Sequence, residues 1–356
     1  MVKFTIFAGG YSSFIVSYLF DTQTSELSFL QTIPTSQNPS WLIPHPTNQS
    51  IIYAVDENTP GVLESYATTP GGGLTLLDQV PTAGSGPAFC TPLSTGQVVA
   101  LNYGSGDGIV VPTVTGGAHF DNSTSVPITF TPPPGGVSNP HMAIEHGEEV
   151  FVADLGGDKV WRIGQTGAAG NFSIHGLIQH PKGTGPRHMA IADDFLYVLH
   201  ETVSTITKQA IPSFPNGTSP ILANVSVVPP PSDNPPAAAV FAAAEILYAP
   251  TPEPYIYASN RNIAGPEGQD ARGDSIAVID PSTMGVVNQV YTGLLEIRGM
   301  EFGVGEEGAE FLVALGAVSG GMVVYKRTEG GKQLEEVARN STAVTRSSLV
   351  MFKLEE

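Results

Sequence analysis

The residues best suited to chemistry lie in one short stretch, 185–205. Arg187 and His188 stand just before an apolar run, Met189 to Ala192, and His200 and Glu201 follow a second run, Phe195 to Leu199. Asp193 and Asp194 separate the runs, which is a hairpin signal. In an antiparallel hairpin the start of the first strand lies beside the end of the second. A guanidinium, an imidazole and a carboxylate therefore share the edge far from the turn. Such a set can clamp a substrate carboxylate or phosphate bidentately, stabilise a developing enolate or oxyanion, and move a proton.

The rest of the chain repeats this hairpin. His141-Met-Ala-Ile recurs as His188-Met-Ala-Ile. Second strands align at 52–57, 98–103, 150–155, 196–201, 256–261 and 311–316, and third strands follow at 61–66, 159–163, 275–280 and 322–326. First strands are expected to open after Pro39, Pro87, Pro140, Pro186 and Pro235. A period of about 50 residues suits units of four strands that bury their faces only against neighbours. Across 356 residues it predicts one all-β domain, a seven-bladed β-propeller spanning residues 1–356. Segment 4–10 reads as a second strand with no first strand before it. Segment 347–353 is a lone strand, expected to close the ring as the innermost strand of the first blade.

If the blades are equivalent, each first strand starts on the face where each second strand ends. One mouth of the central channel then collects Ser40, Trp41, His141, Arg187, His188 and Arg298 from strand starts. Glu57, Tyr103, Glu201 and Arg261 join them from strand ends. Three of the eight arginines thus gather at one rim of a chain whose formal net charge is −18. That charge argues against nucleic acid and anionic membranes as partners. It leaves a small anionic substrate, held by a local arginine cluster. No stretch approaches the roughly 20 apolar residues of a membrane span.

Other signals are structural. No His, Cys, Asp or Glu spacing calls for a metal, and no cofactor motif is present. The single cysteine, Cys90, lies in an apolar stretch and reads as a buried, inert thiol. There is no Gly-x-Ser-x-Gly elbow, and Gly104 to Gly108 reads as a turn, not a phosphate loop. His45, His119, His146, His175 and His180 are expected to be solvated. The N-terminal apolar run is too short for a signal peptide, which favours a cytoplasmic location. Six Asn-x-Ser/Thr sequons, at Asn48, Asn122, Asn171, Asn216, Asn224 and Asn340, leave secretion with glycosylation open. Nothing in these patterns fixes an oligomeric state.

GPRHMAI from Gly185, LYVLHE from Leu196, IYASNR from Ile256 and IRGMEF from Ile297 resemble motifs of the seven-bladed propeller lactonase family. That family includes the fungal 3-carboxy-cis,cis-muconate cyclase, an enzyme of aromatic catabolism, and a bacterial 6-phosphogluconolactonase. The resemblance runs through all blades and is sharpest from about Asn139 to Phe302. It implies a cofactor-free, lactone-forming isomerase (an intramolecular lyase) with His141, Arg187, Glu201 and Arg261 as catalytic residues. His188, Arg298, Glu57 and Trp41 would bind substrate. Arg298 departs from the cyclase pattern towards the phosphogluconolactonase form, so a lactone hydrolase is the alternative, with a non-catalytic binding propeller as a third class. Either His141 or Glu201 would transfer the proton. A glutamate among arginines stays ionised, which favours His141 as the acid.

Overall fold

The structure is a computed structural model that describes residues 2–353. Its strands form seven antiparallel sheets. The second strands, among them Ile51–Asp56, Gln97–Asn102 and Phe195–His200, are almost wholly buried. Each is flanked in its own sheet and covered on both faces by adjacent blades, which is why these segments read as continuous apolar runs. Outermost strands such as Ile221–Ser226 alternate between half-buried and exposed residues, the pattern of a strand with one wet face.

The innermost strands follow one another around the axis as Ser348–Lys353, Leu42–Pro44, Pro87–Pro92, Pro140–His146, Pro186–Ala192, Phe241–Ala249 and Met300–Phe302. Ser348–Lys353 pairs antiparallel with Lys3–Gly9, from Phe4 opposite Lys353 to Gly9 opposite Ser348. The ring closes as the sequence predicts, with the late strand completing the first blade. Each of the seven interfaces between blades carries its own apolar cluster. At the closing interface Phe4 and Phe20 meet Phe311 edge-on, with ring centroids 5.9 and 5.2 Å away. No helix among the described residues is long and apolar enough to cross a membrane.

Two details depart from expectation. Pro235 does not open a strand: the loop carries a 3-10 turn at Pro231–Asp233, and the inner strand begins only at Phe241. A proline-rich segment lacks the N–H donors a ladder needs, and the strand starts only five residues beyond Pro236. The third blade also adds two short pieces, His119–Phe120 and Ile128–Thr129, paired to Asp107–Val114.

One feature of the inner strands positions the site. Their register slips between Pro87 and Phe89, Pro140 and Met142, and Pro186 and His188. The extra residues are Ala88, His141 and Arg187. A bulge re-aims a side chain without ending the strand. In the sixth blade a longer slip spans Ala244 and Glu245.

Closure by the late strand makes a testable demand. Met351 is fully buried in the cluster that joins the first and last blades. Met351→Ala is expected to lower the unfolding free energy by about 2–5 kcal/mol in urea melts. Exposed Val286→Ala should stay within about 0.5 kcal/mol of the parent. Equal effects would contradict the closure.

Candidate active site

Carboxylates fix the loops that deliver the site residues. Asp154 accepts hydrogen bonds from the Asn139 and Gly157 amides, each 2.8 Å away, and from Ser138 Oγ and Trp161 Nε1 at 2.7 and 2.9 Å. This pins the turn that leads to His141. Asp158 does the same ahead of Arg187, accepting from the Gly183 and Gly185 amides at 2.7 and 3.0 Å. Asp274 accepts from the Asn262 amide after Arg261, and from the Ile297 amide before Arg298.

These loops frame a narrow cleft at one mouth of the channel, walled by Tyr11, Trp41, Glu57, His141, Arg187 and Arg298, with Ser40, Ala88 and Ser347 between them. Glu201 Oε2 lies 2.8 Å from Arg187 Nε and 3.1 Å from Arg261 Nη2. The first contact is an ion pair without hydrogen-bond alignment. Both guanidiniums are only 3% exposed and also donate to the inner strand of the sixth blade. Arg187 Nη1 bonds the Ala244 carbonyl, and Arg261 Nε bonds the Ala242 carbonyl at 3.1 Å. Burial alone would raise the Glu201 carboxyl, but Arg187, Arg261 and Arg298 outweigh it and hold it below the usual carboxylate range. Burial lowers Arg187 to about 10, so it stays charged at neutral pH. Arg298 sits 5.7 Å from the Tyr11 ring centroid. Glu57 is pushed up by burial, against the pull of Ser40, Arg298 and Tyr11.

His141 presents its ring to the cleft, edge-on to Tyr103 with centroids 5.6 Å apart. Burial, then Arg187 and His188, hold it well below its ordinary value, so the imidazole is neutral. His188, expected from the sequence to bind substrate, lies beneath His141 and is fully buried. Its Nε2 is 3.2 Å from His141 Nδ1, and its Nδ1 is 2.5 Å from Glu245 Oε1. Trp41 and Phe89 pack edge-on against it, 5.4 and 5.8 Å between centroids.

Of the eight site residues expected from sequence, the cleft wall holds Trp41, Glu57, His141, Arg187 and Arg298. Glu201 and Arg261 are paired beside it, and His188 is below it. His180 corrects an expectation: it is 2% exposed, packed at a tilt against His200 with centroids 5.0 Å apart, and burial lowers it to about 4. Strand alternation turns His200 inward to Thr207 Oγ1, 2.9 Å away, while Glu201 beyond it reaches the mouth. Tyr11 and Glu245 went unrecognised in the sequence. Tyr11 follows the end of Lys3–Gly9, much as Glu57 follows Ile51–Asp56, and that equivalence was its signal. Glu245 is a lone charge in an alanine-rich run, a charge that needs a partner if the run is buried. Among the described residues no group of three or more His, Cys, Asp or Glu is gathered around a common point that could hold a metal ion.

Burial raises the Glu245 carboxyl to about 8. The folded chain therefore keeps a proton that the unfolded chain releases near 4.5, and this contribution to stability is lost as pH rises to about 8. Glu245→Gln removes this contribution. Between about pH 5 and about pH 8, urea midpoints should move in the variant's favour by at least about 1 kcal/mol relative to the parent. A constant gap would contradict the protonated assignment.

Comparison with known proteins agrees with this architecture. No curated protein matches the chain. A protein of known structure from Lactobacillus plantarum superposes with a TM-score of 0.82 at 20% identity, with 100% of each chain covered. A periplasmic gluconolactonase from Pseudomonas aeruginosa gives 0.79 at 20% identity, over 98% of this chain and 99% of that one. A candidate 6-phosphogluconolactonase from Bacteroides uniformis gives 0.77 at 22% identity, over 98% and 99%. At these identities the likeness speaks for the fold alone. The family described as "Lactonase, 7-bladed beta-propeller" matches residues 5–352, so nearly the whole chain is accounted for. The chain belongs to the seven-bladed β-propeller lactonase family, enzymes that act on lactones.

Proposed function

We propose that the cleft converts a small unsaturated polycarboxylate into its lactone. The observation that carries this reading is the charge balance at the rim. Arg187, Arg261 and Arg298 bring three positive charges to the rim, where Glu201 pairs two of them and Glu57 shares the cleft wall with Arg187 and Arg298. Guanidinium groups in excess of their carboxylate partners, beside a neutral imidazole, suit a substrate that brings carboxylates of its own.

Arg187 and Arg298, in the cleft wall, hold the substrate carboxylates. One carboxylate oxygen attacks the conjugated double bond and forms the ring C–O bond. The π electrons move to the carbon next to a second carboxylate, and the resulting enolate is stabilised by the guanidiniums. A proton passes from His141 to that carbon, which completes the lactone and takes up one proton per turnover. Glu201 ties Arg187 to Arg261 and keeps both in place. No cofactor enters this scheme.

The names carried by the structural neighbours favour a second reading, hydrolysis of a sugar lactone. There His141 accepts a proton from water, whose oxygen adds to the ring carbonyl. The ring C–O bond then breaks, the leaving oxygen takes the proton from His141, and the carboxylic acid formed releases its own proton. Arg187 and Arg298 hold the oxyanion or a phosphate group.

Proton stoichiometry in a weakly buffered assay separates the two. With 3-carboxymuconate we expect proton uptake and loss of the diene absorbance. Proton release from a gluconolactone instead would assign hydrolysis, and neither signal would remove both. Arg187→Ala and Arg261→Ala are each expected to lower kcat/KM by about 100-fold or more while the fold is kept. Unchanged kinetics in both would remove the site.

A further inference from the structure

The proposed chemistry asks His141 to give up a proton, yet its surroundings oppose the imidazolium that normally serves as the acid. Both His141 and His188 are held neutral, by burial first and then by the Arg187 guanidinium. The geometry beneath the cleft offers another source. Glu245 Oε1 lies 2.5 Å from His188 Nδ1, and His188 Nε2 lies 3.2 Å from His141 Nδ1. Glu245 is 3% exposed, and its second oxygen has no hydrogen-bond partner. The three residues come from the inner strands Pro140–His146, Pro186–Ala192 and Phe241–Ala249, which are consecutive around the axis. Two of the three, His141 and Glu245, sit in the register slips of those strands.

We propose that Glu245 and His188 are positioning residues for His141, and that the chain from the buried carboxyl through both imidazoles moves a proton to or from the cleft without charging either ring. In one state the Glu245 hydroxyl donates to His188 Nδ1, and His188 Nε2–H donates to His141 Nδ1. His141 Nε2–H then faces the substrate. When that proton leaves for the substrate carbon, the His188 Nε2 proton moves to His141 Nδ1, and the Glu245 proton moves to His188 Nδ1. The product state has a Glu245 carboxylate, two neutral rings, and a lone pair on His141 Nε2. Water returns a proton to Nε2 and the chain resets. In lactone hydrolysis the same chain runs the other way, starting from the carboxylate.

Several charges bear on this chain. Arg187, on the His188 strand, favours the Glu245 carboxylate. Glu201, Arg261 and Arg298 act on His188 from the rim, the first favouring and the other two opposing its protonation. From the seventh blade Glu301, itself raised to about 8 by burial and then by Glu245, repels the carboxylate. The two acids titrate as a coupled pair. Burial of Glu245 sets its ionisation at about 8, so the two states exchange within an accessible range.

The relay is read without substrate by 15N-imidazole spectra of the parent, Glu245→Gln and Glu301→Gln. In the parent the His141 and His188 nitrogens should exchange their protonated and bare positions as pH passes about 8. Glu245→Gln should abolish that change, and Glu301→Gln should keep it with a displaced midpoint. Parent nitrogens that hold one tautomer from about pH 6 to about pH 9.5, or a Glu245→Gln spectrum that still changes, would overturn the relay.

As a link to catalysis the relay rests on the proposed lactone chemistry, so a second reading uses turnover. The kcat limb near pH 8 should fall with pH for ring formation and rise for hydrolysis. Glu245→Gln should erase the limb and lower kcat about tenfold or more with KM little changed. An unchanged profile in that variant overturns the relay. A tautomer change with no turnover of either substrate leaves the relay standing and removes the reaction instead.

Discussion

The site depends on how a buried guanidinium is neutralised. Arg187 is almost entirely removed from water, and stripping an ion of its hydration costs several kcal/mol even after relaxation. Glu201 and the Ala244 carbonyl offset that cost, and Arg261 shares the same carboxylate oxygen. One carboxylate between two cations leaves the rim electropositive. In the proposed reaction an anion arriving there would complete the compensation, so that substrate binding and charge balance would be the same event. In water these interactions would be weak; in the dry mouth of the channel they are strong enough to hold Glu201 ionised against its burial.

No single blade could build this arrangement. Glu201 follows the second strand of the fifth blade, Arg187 opens its first, and Arg261 ends the second strand of the sixth. The fourth blade contributes His141, and the loop entering the seventh contributes Arg298. Their convergence requires that the sheets keep phase around the axis, which the closing strand Ser348–Lys353 and the seven apolar interfaces enforce. The bulges then make local corrections. Without the slip at Pro186, Arg187 would occupy a regular ladder position and its side-chain direction would be set by the pleat. The longer slip in the sixth blade accommodates Ala244 and Glu245 in the same way, which places a carboxyl under the histidines.

Repetition made most of this legible in the sequence. Apolar second strands announced themselves because both of their faces are covered, and the copies of His-Met-Ala-Ile marked two inner strands, although the structure sets them one residue out of phase. From phase alone, the face shared by Arg187, Glu201 and Arg261 could be inferred. Depth could not. His188 and His141 occupy the same motif position, yet His141 is itself the bulged residue while His188 follows the bulge at Arg187, and only coordinates show one ring under the other. His180 looked like a turn residue and proved buried because its partner, His200, faces inward on the adjacent blade. Glu245 was hidden by its alanine neighbours, whose short side chains leave room for a carboxyl to reach His188.

The most direct measurement of the central claim is a structure with a bound saturated tricarboxylate, an analogue that lacks the double bond and cannot close. The account predicts carboxylates on Arg187 and Arg298 and the carbon chain beside His141. An analogue seated elsewhere, for instance in the proline-lined groove around Pro229 and Asn234, or no binding at all, would contradict it.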